Sequence, residues 1–156
     1  CKYGDVGYGE MVKHDKYYSD EFRDELLVQA VKVIKDKIMR SEIHALTYVP
    51  SLRNDKVKKF AQKLAASLNL KFLDVLQKCE APQQKTMENS SFQCQNALHS
   101  FSISSEYRFS GGIVLVDDIV DSRWTLAVCG YLLGSHGFYP AVPFCLADSS
   151  EGGSDE

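Results

Sequence analysis

Ile113-Val114-Leu115-Val116-Asp117-Asp118-Ile119-Val120-Asp121-Ser122-Arg123-Trp124-Thr125 is the stretch on which the fold of this chain turns. The uninterrupted apolar run Ile113–Val116 suits a strand buried on both faces, as strands of parallel sheets are. It stops at two adjacent carboxylates, Asp117 and Asp118, and two apolar residues later comes the polar turn Asp121-Ser122-Arg123. Thr125, Val128, Cys129 and Leu132 then recur at helical spacing. The expectation is a central strand with Asp117 at its carboxyl end, a loop, and a helix. Open α/β sheets bind ligands at that edge. The free N–H groups and dipole of the helix N-terminus suit an anion. Two carboxylates suit a pair of sugar hydroxyls or a hydrated Mg²⁺ ion. Diol, metal and phosphate in that order describe a sugar phosphate.

Other acidic strand ends fit less well. A single Asp there would be an ordinary turn former or helix N-cap. A response-regulator receiver carries its acidic pair near the N-terminus, and a haloacid-type phosphatase needs Asp-x-Asp. Here the spacing is Asp117-Asp118-x-x-Asp121, three quarters of the way along the chain.

The 156 residues suffice for one α/β core, and 44% apolar with 25% charged residues is ordinary globular composition. No apolar run reaches the length of a membrane span, and no signal peptide heads the chain. Cys1, Cys79, Cys94, Cys129 and Cys145 are scattered, so neither a zinc site nor a disulfide framework is implied, and a reducing, cytoplasmic compartment is expected. The start at Cys1 reads as a domain of something longer. Residues 1–85 carry 16 Lys and Arg against 12 Asp and Glu, while residues 86–156 carry 2 against 9. This is not the footprint of an autonomous nucleic-acid binder. Lys56, Lys58, Lys59 and Lys63 read as a solvated helix face in preference to a DNA patch.

Elements alternate along the chain. Ser19-Asp20 can cap a helix running to about Arg40, with Phe22, Leu26, Ala30, Val33/Ile34 and Ile38 as its inner stripe. Ile43–Val49 reads as a strand. Asn54-Asp55 caps a second helix with the stripe Val57, Phe60, Ala61, Leu64, Ala65 and Leu68, stopped at Asn69. Lys71–Leu76 reads as the next strand, residues 79–100 as a polar, irregular segment, and Phe101–Ser104 as a strand at the sheet edge. A third helix ends near Gly134, and Tyr139–Leu146 is the last strand. The fold class is therefore α/β, a mainly parallel sheet flanked by helices. Residues 1–18 form an N-terminal extension or hood, 19–148 the α/β domain, and Ser149–Glu156 a disordered acidic tail.

At residues 113–125 the chain resembles the type I phosphoribosyltransferases, whose signature is a hydrophobic strand, two acidic residues, two apolar residues and a short turn closing on Thr. The resemblance implies that Asp117 and Asp118 contact the ribose hydroxyls of 5-phosphoribosyl-1-pyrophosphate (PRPP) or its Mg²⁺, directly or through water. Asp121, Ser122, Arg123, Trp124 and Thr125 would wrap the 5′-phosphate, and Asp121 would handle a proton on the acceptor. Ser51, Leu52 and Arg53, before the second helix, occupy the place of the pyrophosphate turn. Lys78–Asn96, with Lys78, Gln84, Lys85 and Asn89, takes the place of the catalytic lid, from which Lys85 would join the pyrophosphate ligands. One departure stands out. The family usually has Gly at the place of Arg123, and glycine permits positive φ where arginine normally does not.

Four segments recur together in a narrower group: Pro50-Ser51-Leu52-Arg53, Gln84-Lys85-x-Met87-Glu88-Asn89-Ser90, residues 116–125, and Pro143-Phe144-Cys145-Leu146-Ala147. They resemble the phosphoribosyltransferase-like region appended to some bacterial RecQ-type ATP-dependent DNA helicases. The chain has no Walker A motif, so it is not itself the motor. That resemblance implies a module that binds a sugar phosphate or assists DNA transactions, partnered by the helicase core of a parent chain and reaching DNA through it. An active PRPP-dependent transferase acting on a nitrogenous base or amine is the alternative. A structural domain with a vestigial pocket is a third reading, and three aligned carboxylates argue against it.

Overall fold

The computed structural model describes residues 1–80, 98–107 and 110–150. Four parallel strands form the sheet in the order β2 (Lys71–Phe72), β1 (Ile43–Tyr48), β5 (Gly111–Val120), β6 (Phe138–Asp148). A separate two-stranded antiparallel ribbon joins β3 (Leu76–Lys78) to β4 (Phe101–Ile103). The expected mainly parallel α/β architecture is therefore present, with Ile113–Val116 inside the central strand. Val114 and Val116 point to one side of the sheet, among Leu26, Ile34, Leu46, Phe60 and Leu64. Ile113 and Leu115 point to the other, among Val75, Phe101, Val128, Leu133 and Phe138. The first side is covered by helices α1 (Tyr8–Tyr18), α2 (Asp24–Ile38) and α3 (Lys56–Leu68), the second by α4 (Trp124–Ser135) and the ribbon.

Helix α3 is amphipathic as its stripe predicts, and Asn69 ends it in the left-handed conformation at φ 54°. Its lysines are engaged: Lys58 with Asp74, Lys59 with Asp55, Lys63 with Glu21, and Lys56 with backbone carbonyls of α1. Helix α4 carries no charged residue, and Val128, Cys129 and Leu133 are its buried side.

Several boundaries differ from the sequence reading. Helix α2 begins at Asp24, not at Ser19-Asp20, because Ser19 Oγ and the Arg23 backbone N–H both donate to the Asp15 carboxylate. The expected strand Lys71–Leu76 is broken in two: Asp74 turns aside to accept from Tyr48 Oη and Lys58 Nζ, both at 2.8 Å. Phe101–Ile103 joins the ribbon instead of the sheet edge. Strand β5 does not stop at Asp117. Its pairing with β1 ends at Tyr48↔Val116, but its pairing with β6 continues through Asp117↔Cys145 to Val120↔Asp148. The carboxylates thus sit on a length of strand that overruns its neighbour on one side only.

The entry of β5 is tight. Gly112 lies at irregularities in both of its pairings, and a Cβ there would come within 2.8 Å of the Glu42 carbonyl oxygen. At the N-terminus, α1 docks through fully buried Val12 and through Gly9, whose missing Cβ makes room for the Lys2 carbonyl. Ser149, just beyond β6, donates its N–H to Val120 O at 2.8 Å. No helix among the described residues is long and apolar enough to cross a membrane.

Candidate functional site

Two loops meet at the carboxyl edge of the sheet. Val49 N–H donates to Val116 O at 2.8 Å, so the chain leaving β1 starts its turn beside Asp117. Ser51, Leu52 and Arg53 lie exposed on that turn; Ser51 Oγ accepts from Arg53 N–H and Asn54 Oδ1 from Lys56 N–H, both at 3.2 Å. On the other side, Asp121, Ser122 and Arg123 form an exposed turn after β5, and Trp124 and Thr125 open α4 half-buried. Trp124, Thr125 and Leu126 carry first-turn N–H groups without intrahelical acceptors, at the positive end of the helix. Arg123 has φ 64°, in the left-handed region that costs a side-chain-bearing residue about 1–2 kcal/mol. The turn takes the shape glycine favours, with arginine in place.

The adjacent carboxyl groups lie within reach of one another, and β5 does not alternate cleanly here, since Val116 and Ile119 both pack on the side of α1, α2 and α3. Asp117 lies toward Cys129 of α4, and Cys145 is its register partner on β6. Burial, and next the charge of Asp118, push the Asp117 carboxyl up to about 7, although Asp117 Oδ1 accepts the Asp118 N–H at 2.8 Å. Burial, and next Asp117, push both thiols up to about 12. Asp118 lies toward α1. Its Oδ1 accepts the Ile119 N–H at 2.7 Å and its Oδ2 meets Lys16 Nζ at 3.0 Å. Tyr3 is hydrogen-bonded to Tyr17 close by, and burial, that bond and the Asp118 charge push its hydroxyl up to about 12.

Helix α1 is fixed where it meets this pair. Asp15 is buried and accepts from Arg23 Nη2 at 2.6 Å, Arg23 Nε at 2.8 Å and Arg23 N–H at 2.9 Å. Burial alone would raise its pKa; those bonds and His14 outweigh it and hold the carboxyl at about 2. Lys56 Nζ donates to the carbonyls of Asp15 and Lys16, at 3.1 and 2.7 Å. It supplies from another helix the partners that the last turn of α1 lacks.

No family model and no curated protein matches the chain. Solved structures do. Adenine phosphoribosyltransferase from Saccharomyces cerevisiae, complexed with an imino-altritol bisphosphate and adenine, is similar over 80% of this chain and 67% of its own, at 15% identity and TM-score 0.54. A second adenine phosphoribosyltransferase matches 81% of this chain and 71% of its own, at 17% identity and TM-score 0.52. A hypothetical protein from Neisseria gonorrhoeae with bound ppGpp matches over 82% and 81%, at 13% identity and TM-score 0.51. The fold is that of the type I phosphoribosyltransferases.

Within this phosphoribosyltransferase fold, the edge of the sheet gathers Ser51, Leu52, Arg53, Asp117, Asp118 and the turn 121–125, whereas Lys85, Gln84 and Asn89 lie outside the described residues. Lys78 closes β3, its ammonium 5.3 Å from the centre of the Phe101 ring. Among the described residues no group of three His, Cys, Asp or Glu side chains could hold a metal by itself. Two carboxylates, one already facing an ammonium, fit a Mg²⁺ ion that arrives on ligand phosphates and keeps its waters. An apolar cleft of about 450 Å³ lies beside the turn 121–123, between α4 and β6, lined in part by Arg123, Leu126, Ala127, Ala141 and Pro143. The sequence reading missed Lys16; Tyr3 and Tyr17 it gave only as aromatics of an N-terminal hood that could stack a base. The available signal was the spacing Val12, Asp15, Ser19 of a helix docking by one buried face, hidden among the charged residues and tyrosines of α1.

Proposed function

We propose that this domain binds a PRPP-like sugar phosphate at the carboxyl edge of its sheet, as a recognition module. The observation that carries the reading is the turn 121–125, which leads from the acidic strand into the free N-terminus of α4 with Arg123 left-handed. The backbone N–H groups of Trp124 and Thr125, with the Ser122 and Thr125 hydroxyls, would hold the 5′-phosphate. The Arg123 guanidinium would add charge to it. Asp117 and Asp118 would take the ribose hydroxyls, and Ser51, Leu52, Arg53 and Lys85 a pyrophosphate. A Mg²⁺ ion carried in on the pyrophosphate would rest against Asp117 and Asp118 and neutralise charge on the leaving group.

The finer setting, a module of a RecQ-type DNA helicase acting on DNA through the parent chain, is supported by the four sequence segments; none of the structures named above is a helicase. The ion-paired lysines of α3 speak against direct DNA contact by that face. A transferase is the second reading, favoured by Asp121, exposed on the turn and without a hydrogen bond or ion pair among the described residues. Displacement of pyrophosphate builds positive charge on the anomeric carbon, which the carboxylates would stabilise by pre-organisation. Asp121 would take a proton from an acceptor within hydrogen-bond reach.

Calorimetric titration with PRPP and with ribose 5-phosphate, with and without Mg²⁺, tests the site. Thr125→Val is expected to weaken binding by about 1–3 kcal/mol, the value of a lost charge-assisted hydrogen bond; unchanged affinity would remove the turn from the site. Pyrophosphate release with common bases separates the two readings, because a module releases none.

A further inference from the structure

Lys16 lies outside every motif of the sequence, yet its ammonium stands 3.0 Å from Asp118 Oδ2. Its side chain is 32% exposed and that of Asp118 18%, so the pair is largely shielded from water. Neither partner is free to wander. Asp118 is held at its second oxygen by the Ile119 N–H, and the Lys16 backbone carbonyl by Lys56. The preceding residue, Asp15, is locked to Arg23. A cation fixed in this way removes the charge of the carboxylate and aims it, which is the electrostatic work a divalent ion would do at the same place. The hydrogen-bonded hydroxyls of Tyr3 and Tyr17 flank the pair and add polar contacts for a sugar.

We propose that Lys16 is the resident cation of this site: it occupies the counter-ion position at Asp118, so that a pentose 5-monophosphate binds without metal. This deepens the sugar-phosphate reading and rests on it. Mg²⁺ is then needed only by ligands that bring a pyrophosphate of their own.

Two measurements on the full chain test it separately from that reading. In the first, Mn²⁺ is titrated without sugar and followed by water-proton relaxation. Lys16→Met is expected to tighten Mn²⁺ binding about fivefold by freeing Asp118, and adding Asp118→Asn should abolish the gain. Equal Mn²⁺ affinity of wild type and Lys16→Met would overturn the proposal. In the second, ribose 5-phosphate is titrated in EDTA and in excess Mg²⁺. Wild type and Lys16→Arg should bind alike in both. Lys16→Met should lose about tenfold in EDTA and regain it with Mg²⁺, which a merely structural lysine would not do. A strict Mg²⁺ requirement of the wild type would also overturn the proposal. If the wild type binds no ribose 5-phosphate in either buffer, the sugar-phosphate reading fails, and the Mn²⁺ comparison still decides whether Lys16 holds the cation position.

Discussion

On the side of the sheet covered by α1, α2 and α3, Asp118 faces an ammonium, and the surface around it is laced with ion pairs: Arg23 with Asp15, Lys58 with Asp74, Lys63 with Glu21. On the side covered by α4 and the ribbon, Asp117 lies near two thiols, beside a helix without a single charge. The two residues are chemically identical and adjacent in sequence. Their nearest partners nevertheless differ: Asp118 meets the Lys16 ammonium, whereas Asp117 lies near Cys129 and Cys145, and each carboxyl also meets the other. One carboxylate has an ammonium at 3.0 Å, and the other, raised to about 7 by burial and by its neighbour's charge, can take up a proton near neutral pH. A ligand at this edge meets both behaviours within one residue of strand.

The largest expected effect comes from breaking the charged side. Arg23→Met leaves the Asp15 carboxylate, 2% exposed, without its principal partner. A loss of about 3 kcal/mol is expected, at the lower end for a broken buried pair because Arg23 itself is 36% exposed. In thermal melts this is a fall of roughly 6–12 °C. The sign with pH follows from the depressed folded value of about 2. The contribution of Asp15 is present above the unfolded carboxyl value of about 4 and is lost as pH falls toward 2. The variant should lack that part of the acid slope; a melting temperature equal to wild type at pH 7 would show that Arg23 does not hold α1.

The apolar side is probed by Asp117→Asn. Asp117 has a raised folded value of about 7, so the folded chain binds more protons than the unfolded one between about pH 4 and 7. Wild-type stability should fall as pH rises through that window, by up to about 4 kcal/mol. The Asn variant lacks this slope. In urea denaturation it should gain on the wild type between pH 5 and pH 8; a constant difference would mean that Asp117 is not set apart from Asp118.

The smallest effect belongs to Arg123. Replacing it with Gly relieves the left-handed backbone but frees the unfolded chain, so stability should change by less than about 1 kcal/mol. Arg123→Val, β-branched at φ 64°, should cost more than the Gly variant in the same denaturation series. Equal stability of the two would show that the turn relaxes out of the left-handed region.

Much of this was legible in the chain because its signals are local. The apolar run Ile113–Val116, the stripe of α3 and the stop at Asn69 each read correctly, since each is decided within a few residues. The acidic turn also read as the edge of the sheet. What escaped depends on distant partners. Asp117 and Asp118 look like the end of a strand, but β6 continues to pair with them as far as Asp148. Lys71–Leu76 looks continuous, but Tyr48 and Lys58 draw Asp74 out of line. Helix α1 is polar enough to pass for an extension, and only the Asp15–Arg23 pair and buried Val12 reveal that it belongs to the core. Lys16 could not be assigned without that docking.

Gly112 carries a consequence for the buried run that follows it. Side chains on a strand alternate with period two, so a slip of one residue would exchange the faces to which Ile113, Val114, Leu115 and Val116 point. The crowded contact of Gly112 with Glu42 and the irregular pairing on both flanks fix the phase of β5 before the acidic residues are reached. Which face of the core each residue of Ile113–Val116 fills is thus decided by a residue with no side chain, at the entry of the strand.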